Sequence, residues 1–552
     1  MINRIIIIFL LTVSSLYSQN DYYKNAVVSS ANEIASEVGI SILRQGGNAV
    51  DAAVGVAFAL AVVYPQAGNI GGGGFLVLRS ADGYETSIDF RETAPRLSSK
   101  NMYLDSVGNV IADLSTLGHL ASGVPGSVAG LLYALEKYGT MPREKILSYA
   151  IELAEKGFKI NKELANSINN NRNDFNKFEG SSKIFGKKFR QNELFIQADL
   201  ANTLKEISLK GRDGFYKGIV ADLIVAEMQK GKGIITHEDL ANYKPVERKV
   251  IKGKYKEYEI ITMGPPSSGG ICLIYLLNIL ENFNLKSHGK TSIEYINLLS
   301  EAMKLVYADR SEYMGDMDFY EVPVDVLISK SYAKTRISDF KFGEVIPSDK
   351  IKPGYINSES PQTTHLSVAD SKGNMVSLTT TLNDTYGSKV VVDGAGFLLN
   401  NEMDDFSVKP GVPNIFGLVG NEANAIEPSK RMLSSMTPVL LLKDSKPFMV
   451  VGSPGGGKII TSVLQTILNV IEFSLNIRDA VDSPRFHHQW LPDLLQVEKA
   501  LLSRNKIKKL SELGYDIRIV SDFGRVEAIV FNKDGTLSGH SDKRGNGMAV
   551  GY

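Results

Sequence analysis

Apolar and polar residues alternate with a period of two in several stretches, which is typical of strands with one buried face. Residues 71–90 predict a hairpin with its turn at Asp82 and Gly83. Residues 364–382 predict two strands around a turn at Ser371 to Asn374, and residues 436–454 predict two more around Lys443 to Lys446. Near the end of the chain, "YDIRIV" and "VEAIVFN" are predicted as further strands.

Other stretches have helical spacing of their apolar residues. Residues 458–471, "KIITSVLQTILNVI", predict a helix, and residues 141 to about 240 are mostly helical and polar. Residues 48–64, "NAVDAAVGVAFALAVVY", are rich in Ala and Gly and are interrupted by Asp51, so a close-packed buried helix is favoured over a membrane span. Strands stacked as two sheets with helices outside would bury all these faces.

Composition indicates a large globular protein. The chain has 552 residues, 43% of them apolar, a formal net charge of zero and no block of like charge. This balance argues against nucleic acid or an anionic membrane as a partner. The single cysteine, Cys272, lies in the apolar stretch "GGICLIYLL" and is predicted to pack in the core.

The N-terminus has the pattern of a secretory signal peptide. Arg4 precedes a short apolar run, Ile5 to Val13, and Ser18 follows as a plausible cleavage residue. We therefore expect residues 1–18 to be removed and the protein to be exported, periplasmic or secreted. The alternative is a buried N-terminal strand. In either case the apolar run is too short to span a bilayer, so no membrane span is expected in the mature protein.

The stretch "VGSPGGGKII", residues 451–460, resembles a phosphate-binding P-loop without being one. The position that should carry a magnesium-binding Ser or Thr is Ile459. The stretch lies where a strand is expected to enter a helix, and backbone N–H groups at such a place favour a negative charge. From the residues alone, that charge could belong to a phosphate or to a reaction oxyanion.

A candidate nucleophile lies in "ESPQTTHLSVAD". If the peptide bond after Gln362 were cut, Thr363 would carry both a hydroxyl and a free α-amine, whose reference pKa of about 7.7 to 8.0 suits a base. One residue would then supply nucleophile and base. On spacing alone, a Thr pair at a strand start indicates only β-propensity. Neither G-x-S-x-G nor H-E-x-x-H occurs, and the adjacent His487 and His488 do not have metal-ligand spacing on a helix.

Ten motifs then indicate a family. In the second half these are "QTTHLSVAD", "TTTLNDTYGS", "GFLLNNEMDDFS", "PSKRMLSSMTP" and "GSPGGG". In the first half they are "GGNAVDAAV", "GNIGGGGF", "DFRETAP", "GVPGSVAGL" and "GPPSSGG". Their order and spacing resemble the γ-glutamyltranspeptidase (glutathione hydrolase) family from about Ala26 to the C-terminal "GY".

The resemblance implies an α+β fold, the four-layer αββα sandwich of the N-terminal-nucleophile hydrolases, made as a precursor that cuts itself. Cleavage between Gln362 and Thr363 would give a large subunit, residues 19–362, and a small catalytic subunit, residues 363–552. Both would remain together as a heterodimer around one shared core. Thr381 matches the family threonine whose hydroxyl bonds to the nucleophile. No metal and no organic cofactor is implied.

The resemblance also implies the substrate site. Arg91, Ser434 and Ser435 would bind the α-carboxylate of a γ-glutamyl group, whereas Asn383, Glu402 and Asp405 would receive its α-ammonium. Backbone N–H groups of Gly455 and Gly456 would stabilise the oxyanion. Phe416, within the segment 405–421, stands where the family has an aromatic lid residue, often Tyr.

The implied reaction is a two-step acyl transfer. Thr363 would take the γ-glutamyl group from glutathione or another γ-glutamyl amide and pass it to water or to an acceptor amino acid or dipeptide. One alternative is a cephalosporin or glutaryl acylase of the same superfamily, against which Asp405 and the lid segment argue. The other is a processed but inactive binding protein, against which Thr363, Thr381 and Gly455 argue.

Overall fold

The computed structural model describes residues 22–354 and 364–552. The predicted signal peptide and the predicted cleavage residues Gln362 and Thr363 therefore lie outside the described residues. None of the helices in the two described ranges combines the length and the apolar composition needed to cross a membrane.

The described residues form strands β1 to β18, which are, in chain order, Ala26–Ser30, Gly73–Arg79, Glu85–Asp89, Phe158–Lys159, Leu194–Phe195, Val246–Arg248, Ile251–Tyr255, Tyr258–Thr262, Thr364–Asp370, Met375–Thr381, Val439–Lys443, Lys446–Gly452, Phe486–His487, Leu495–Glu498, Ile517–Val520, Glu527–Phe531, Leu537–Ser541 and Met548–Gly551.

Helices α1 to α18 are, in the same order, Glu33–Arg44, Ala49–Val63, Ser127–Tyr138, Arg143–Lys156, Lys162–Phe175, Glu179–Phe185, Ala198–Lys210, Asp213–Tyr216, Gly218–Lys230, His237–Asn242, Gly269–Leu280, Leu285–His288, Ile293–Tyr313, Val324–Leu327, Lys330–Arg336, Lys458–Ile471, Ile477–Asp482 and Arg504–Glu512.

Two large antiparallel sheets form the centre of this mixed α and β fold. The seven-stranded sheet has the order β18-β1-β9-β10-β2-β3-β6, and the six-stranded sheet has the order β17-β16-β12-β11-β8-β7. Strands β9 and β10 pack across onto β12 of the other sheet. Side chains such as Val27, Phe75, Met436 and Val450 fill the space between the sheets.

Helices cover the outer face of each sheet. Helices α1 and α2 pack on β1 and β9, whereas α11 and α16 pack on β7 and β12. Every residue of α2 is buried, including Asp51, whose carboxylate accepts hydrogen bonds from Asn48, Thr140 and Met141. A buried charge is tolerated there because these donors replace water.

Both large sheets combine strands from before and after the gap at residues 355–363. In the seven-stranded sheet, β9 and β10 lie between β1 and β2. In the six-stranded sheet, β11 lies beside β8. Residues on the two sides of the gap therefore share the same hydrophobic core.

The local predictions agree closely with the structure. The three predicted hairpins correspond to β2–β3, β9–β10 and β11–β12, with Gly83 at φ +89° in the first turn and Asp444 and Ser445 at φ 50° and 60° in the last. Helix α16 has the predicted bounds, α2 is one residue shorter at each end than the predicted segment, and Cys272 is buried in α11. The four edge strands of the two large sheets, β6, β7, β17 and β18, were not predicted.

Candidate active site

A pocket of about 240 Å³ opens where β9 begins and β10 ends. Three predicted site residues line it, Thr381, Asn383 and Gly455, together with Thr364, the first described residue after the gap. Its other lining residues are Tyr64, Gln66, Ala67, Glu163, Ser167, Asp384, Thr385, Pro454, Gly524 and Arg525. The predicted nucleophile Thr363 lies outside the described residues, whereas its neighbour in the sequence, Thr364, lines this pocket.

Thr381 is held at the end of β10 by bonds to its backbone and its side chain. Asn69 Nδ2 donates to the Thr381 carbonyl (2.8 Å), and the backbone N–H of Asn383 donates to Thr381 Oγ1 (2.7 Å). Asn383 has φ +74°, a left-handed conformation that Asn tolerates better than most residues. Its side-chain amide donates to the carbonyl of Asn401 (3.0 Å), which directly precedes Glu402.

The predicted carboxylate-binding and ammonium-binding residues lie together in one buried cluster beside this pocket. Arg91, two residues after β3, is fully buried and forms ion pairs with Glu402 and Asp405 of a short 3₁₀ turn. Its guanidinium also donates to the carbonyls of Met432 and Leu433, each at 3.1 Å. Three chain segments far apart in sequence thus meet at one guanidinium.

Burial shifts the pKa values of these carboxyl groups upward. Desolvation raises the pKa of Glu402 to about 7, although the Arg91 charge opposes the shift. Desolvation likewise raises the pKa of Asp405 well above its usual range, again against the effect of Arg91. In both carboxyl groups the effect of burial on the pKa outweighs the opposing charge of Arg91.

Each of three predicted ammonium-binding residues has one buried oxygen that accepts no hydrogen bond from any described residue. These atoms are Asn383 Oδ1, Glu402 Oε2 and Asp405 Oδ1. Buried polar atoms are usually paired, and leaving one unpaired costs about 1 to 3 kcal/mol. These three oxygens are therefore candidate acceptors for the donor groups of a bound ligand.

Ser434 and Ser435 are buried and follow the two carbonyls that Arg91 contacts. The Arg310 guanidinium donates to Ser435 Oγ (2.6 Å), which leaves the hydrogen of that hydroxyl to be donated elsewhere. Ser434 is fixed by its backbone, whose N–H donates to Pro266 O and whose carbonyl accepts from Ser268 N, both at 2.7 Å. Arg310 thus contacts this serine pair directly, whereas Arg91 contacts the two carbonyls that precede it.

The glycine loop between β12 and α16 has the conformation that its sequence requires. Gly455 has φ +133° and Gly456 has φ +66°, both unfavourable for residues with a Cβ. A Cβ at Gly455 would lie 3.3 Å from the Cα of Gly524. No described residue accepts a hydrogen bond from the N–H of Gly455 or Gly456, and Tyr307 Oη donates to the carbonyl of the next residue, Gly457.

The predicted lid segment, residues 405–421, packs against the glycine loop. Asp404, in the same turn as Asp405, accepts from the N–H of Ile415 (3.0 Å), and Gln489 donates to the carbonyl of Phe416 (3.2 Å). Leu418 approaches the position that a Cβ of Gly457 would occupy, to 3.3 Å. Phe416 itself does not line the 240 Å³ pocket; it packs partly buried against the core under the six-stranded sheet.

His365 and Arg525 are among the polar residues at or near the pocket that were missed from the sequence. His365 is buried between the sheets, where its Nδ1 is 3.0 Å from Thr379 Oγ1 and its Nε2 is 3.1 Å from Ser367 Oγ. Burial lowers its pKa to about 3, so it is neutral. Arg525 lines the pocket itself. The alternation of residues along β9 is a sequence signal that places His365 on the face between the two sheets. No local sequence signal identifies Arg525 as a pocket residue.

His487 and His488 each lie within hydrogen-bond distance of polar side chains of the protein. His487 lies 2.9 Å from both Thr461 and Gln489, and His488 lies 3.2 Å from Asp493. Burial lowers the pKa of His487 to about 3. Within residues 22–354 and 364–552, no three His, Cys, Asp or Glu side chains are placed to hold a metal ion.

Comparison with known proteins gives a consistent result along the whole chain. Residues 35–552 match the family model described as Gamma-glutamyltranspeptidase. The chain is 48% identical over 535 residues to the "Glutathione hydrolase proenzyme" of Escherichia coli (strain K12), with 96% of this chain and 92% of the relative covered. It is 36% identical to the "Acylase ACY 1 proenzyme" of Pseudomonas sp. (strain SE83), with 95% and 93% covered.

Solved structures extend this similarity. The crystal structure of cephalosporin acylase from Bacillus halodurans aligns with a TM-score of 0.86 at 27% identity, covering 99% of both chains. The crystal structure of Helicobacter pylori gamma-glutamyltranspeptidase aligns with a TM-score of 0.58 at 50% identity, covering 59% of this chain and 94% of that chain.

Proposed function

This chain belongs to the gamma-glutamyltranspeptidase family, and from that premise we propose that it transfers γ-glutamyl groups from glutathione and related amides to water or to amino acids and dipeptides. The reaction proceeds through a γ-glutamyl ester on Thr363, after the precursor has cut itself before that residue. The relatives at 46–48% identity that are named glutathione hydrolase proenzymes support this assignment.

The observation that carries the proposal is the set of three unpaired acceptors, Asn383 Oδ1, Glu402 Oε2 and Asp405 Oδ1. An α-ammonium group has three N–H donors and one positive charge. It would satisfy these atoms and would compensate the two carboxyl groups whose pKa values burial raises. A γ-glutamyl group carries this ammonium, and a simple glutaryl group does not.

The α-carboxylate of the same substrate would bind next to Arg91. Arg91 already contacts Glu402 and Asp405, so the incoming zwitterion places its ammonium against those acids and its carboxylate against the arginine. The hydroxyl of Ser435, polarised by Arg310, adds a donor, and Ser434 lies beside it. On binding, ion pairs within the protein are replaced by ion pairs with the substrate. This exchange favours a ligand that carries both a carboxylate and an ammonium group.

Thr363 would act at the pocket end of β9. Its hydroxyl attacks the γ-carbonyl carbon while its α-amine takes the hydroxyl proton, and the proton then passes to the departing amine. The N–H groups of Gly455 and Gly456 would receive the oxyanion, a role in which one donor contributes roughly 3 to 4 kcal/mol. Thr381 would orient the nucleophile. Water or an acceptor amine then attacks the ester and restores Thr363.

The fold is compatible with cleavage at Gln362. Both sheets draw strands from each side of the gap, so two fragments would stay together as a heterodimer. The Helicobacter pylori chain covers only 59% of this chain, a share close to that of the proposed large subunit, residues 19–362. Helices on the outer faces of two packed sheets support the four-layer αββα sandwich. We further propose that residues 1–18 direct export and that Phe416 belongs to a lid.

The acylase alternative rests on the fold similarity to the cephalosporin acylase structure. It is disfavoured because a substrate without an α-ammonium would leave the three acceptors buried and unpaired, at a cost of about 1 to 3 kcal/mol each. The test is amine release from matched γ-glutamyl and glutaryl anilides, with and without a dipeptide acceptor. Preference for γ-glutamyl and acceleration by the dipeptide support the proposal, whereas preference for glutaryl would assign an acylase.

A further inference from the structure

We propose that Arg525 binds the terminal carboxylate of the peptide that leaves the γ-glutamyl group, and equally that of a dipeptide acceptor. The inference rests on the proposed function, because it concerns the side of the same pocket that the glutamyl group does not occupy. It would make the enzyme select peptides with a free C-terminus over neutral amines.

Arg525 is the one basic residue among the described residues that line the pocket. Two acids line it as well, but Asp384 is paired with Lys389 at 2.9 Å. The other acid, Glu163 of α5, lies 3.6 Å from Arg525 Nη2, beyond hydrogen-bond distance, and its second oxygen accepts from Asn546. Arg525 therefore offers guanidinium N–H groups that the protein does not fully use.

The backbone around Arg525 ties it to the proposed oxyanion loop. Its N–H donates to Ser453 Oγ (3.2 Å), and the preceding Gly524 fits against Gly455. Its Nε donates to the carbonyl of Arg544 (3.1 Å), so the side chain is held by its stem. Arg525 thus directly follows the glycine that packs against the proposed oxyanion loop, and both residues line the same pocket.

Arg544 is itself fixed by buried acids. Its guanidinium donates to Glu498 and to Asp542, with N···O distances of 2.6 to 2.8 Å. Arg525 is nevertheless partly open, with 38% of its side chain exposed. A group that is anchored at its stem and exposed at its end can meet a ligand without a large rearrangement.

The chemistry of the substrate matches this placement. When Thr363 attacks glutathione, the amine that leaves belongs to a dipeptide, whose carboxylate lies about 7 Å further along an extended chain. A carboxylate is the group that an arginine fork binds best. Because an acceptor dipeptide attacks the ester from the position the leaving dipeptide vacates, its carboxylate would meet the same arginine.

The test compares glutathione with its C-terminal carboxamide as donors for Arg525→Gln, Arg525→Lys and the unaltered enzyme. The quantity measured is the ratio of kcat/KM for carboxylate over carboxamide, which cancels any general loss of folded enzyme. We expect Arg525→Gln to lower this ratio about five- to tenfold, as loss of a partly exposed charge-assisted bond would. Arg525→Lys should retain most of this preference for the carboxylate over the carboxamide.

A matched control is Arg96→Gln, which removes an exposed arginine that pairs with Glu238 and does not line the pocket. Its ratio should equal that of the unaltered enzyme. An unchanged ratio in Arg525→Gln would overturn the inference while leaving the proposed function intact. If the unaltered enzyme cleaves neither donor, the proposed function fails, and the inference fails with it.

Discussion

The guanidinium of Arg91 and the carboxylate of Asp405 form a fully buried ion pair between residues separated by 314 positions, on opposite sides of the predicted cleavage bond. Glu402 joins the same guanidinium. A buried pair gains little net stability, because desolvation offsets the attraction, but removing one partner leaves a costly unpaired charge. Under the proposed function, this pair is a preformed receptor for the zwitterionic α-carbon group of the substrate.

Asp405→Asn should weaken recognition of the α-ammonium. The amide keeps the shape but removes one negative charge and places N–H donors beside Arg91. We expect KM for a γ-glutamyl anilide to rise at least tenfold, and the preference for γ-glutamyl over glutaryl anilide to fall by a similar factor. Steady-state kinetics with the two anilides measures both.

The neighbouring Asp404→Asn serves as the control, since Asp404 bonds to Ser115 and to the N–H of Ile415 and has no contact with Arg91. It should keep the preference for the γ-glutamyl donor. If both variants show the same preference for the γ-glutamyl over the glutaryl anilide, the charge of Asp405 does not recognise the α-ammonium.

Gly455→Ala should lower kcat by about 10² to 10³, because alanine keeps its N–H but its strained backbone would move this donor away from the oxyanion. Alanine is strained at φ +133°, and its Cβ would press on the Cα of Gly524. Gly535→Ala is the matched control, because Gly535 also has positive φ (+84°) but no atom within 4 Å of a Cβ. If both variants lose the same small factor in kcat, backbone strain alone explains the result.

Binding of glutamate should tighten as the pH rises from 6 to 8. Burial raises the pKa of Glu402 to about 7, so its carboxyl group is mostly protonated at pH 6 and mostly ionised at pH 8. Release of one proton over this range predicts an inhibition constant for glutamate that falls about tenfold. Glutarate, which lacks the ammonium, should show a smaller change.

Measuring both inhibitors on the same enzyme cancels the titration of the Thr363 amine. In Glu402→Gln the ratio of the two inhibition constants should no longer depend on pH. If the ratio of the two inhibition constants does not change with pH in the unaltered enzyme, the ionisation of Glu402 does not govern binding of the ammonium group.

Thr363→Ala should give an uncut and inactive chain, because the hydroxyl that attacks the Gln362 carbonyl is absent. Thr364→Ala should still give two bands on a denaturing gel, since its hydroxyl has no hydrogen-bond partner among the described residues and no role in the attack. Two bands from Thr363→Ala would require another nucleophile.

Local elements of this fold could be predicted because their signals are local. The alternation of β9 to β12 and the glycines and polar residues at their turns defined the hairpins, and helical spacing defined α16. Sheet order could not be predicted in this way. The insertion of β9 and β10 between β1 and β2 depends on contacts over hundreds of residues.

The candidate site also combines residues that local motifs predicted with contacts that only the folded chain creates. Family motifs marked Arg91, Glu402 and Asp405 as separate binding groups, but their mutual ion pairing has no signature in sequence. Arg525 has no motif either, since its significance comes from Gly524 packing against the loop at Gly455. Sequence indicates which residue types a site needs, whereas only the folded chain determines which of their charges already compensate one another.

The most direct test of the account is to find the acylated residue. The purified protein is treated with a mechanism-based glutamine analogue, and the intact mass and peptide map are determined. We predict two fragments, of which the smaller begins at Thr363, and one adduct on that residue, with labelling prevented by excess glutamate. An adduct on another residue, or labelling of a chain still continuous through Gln362 and Thr363, would contradict it.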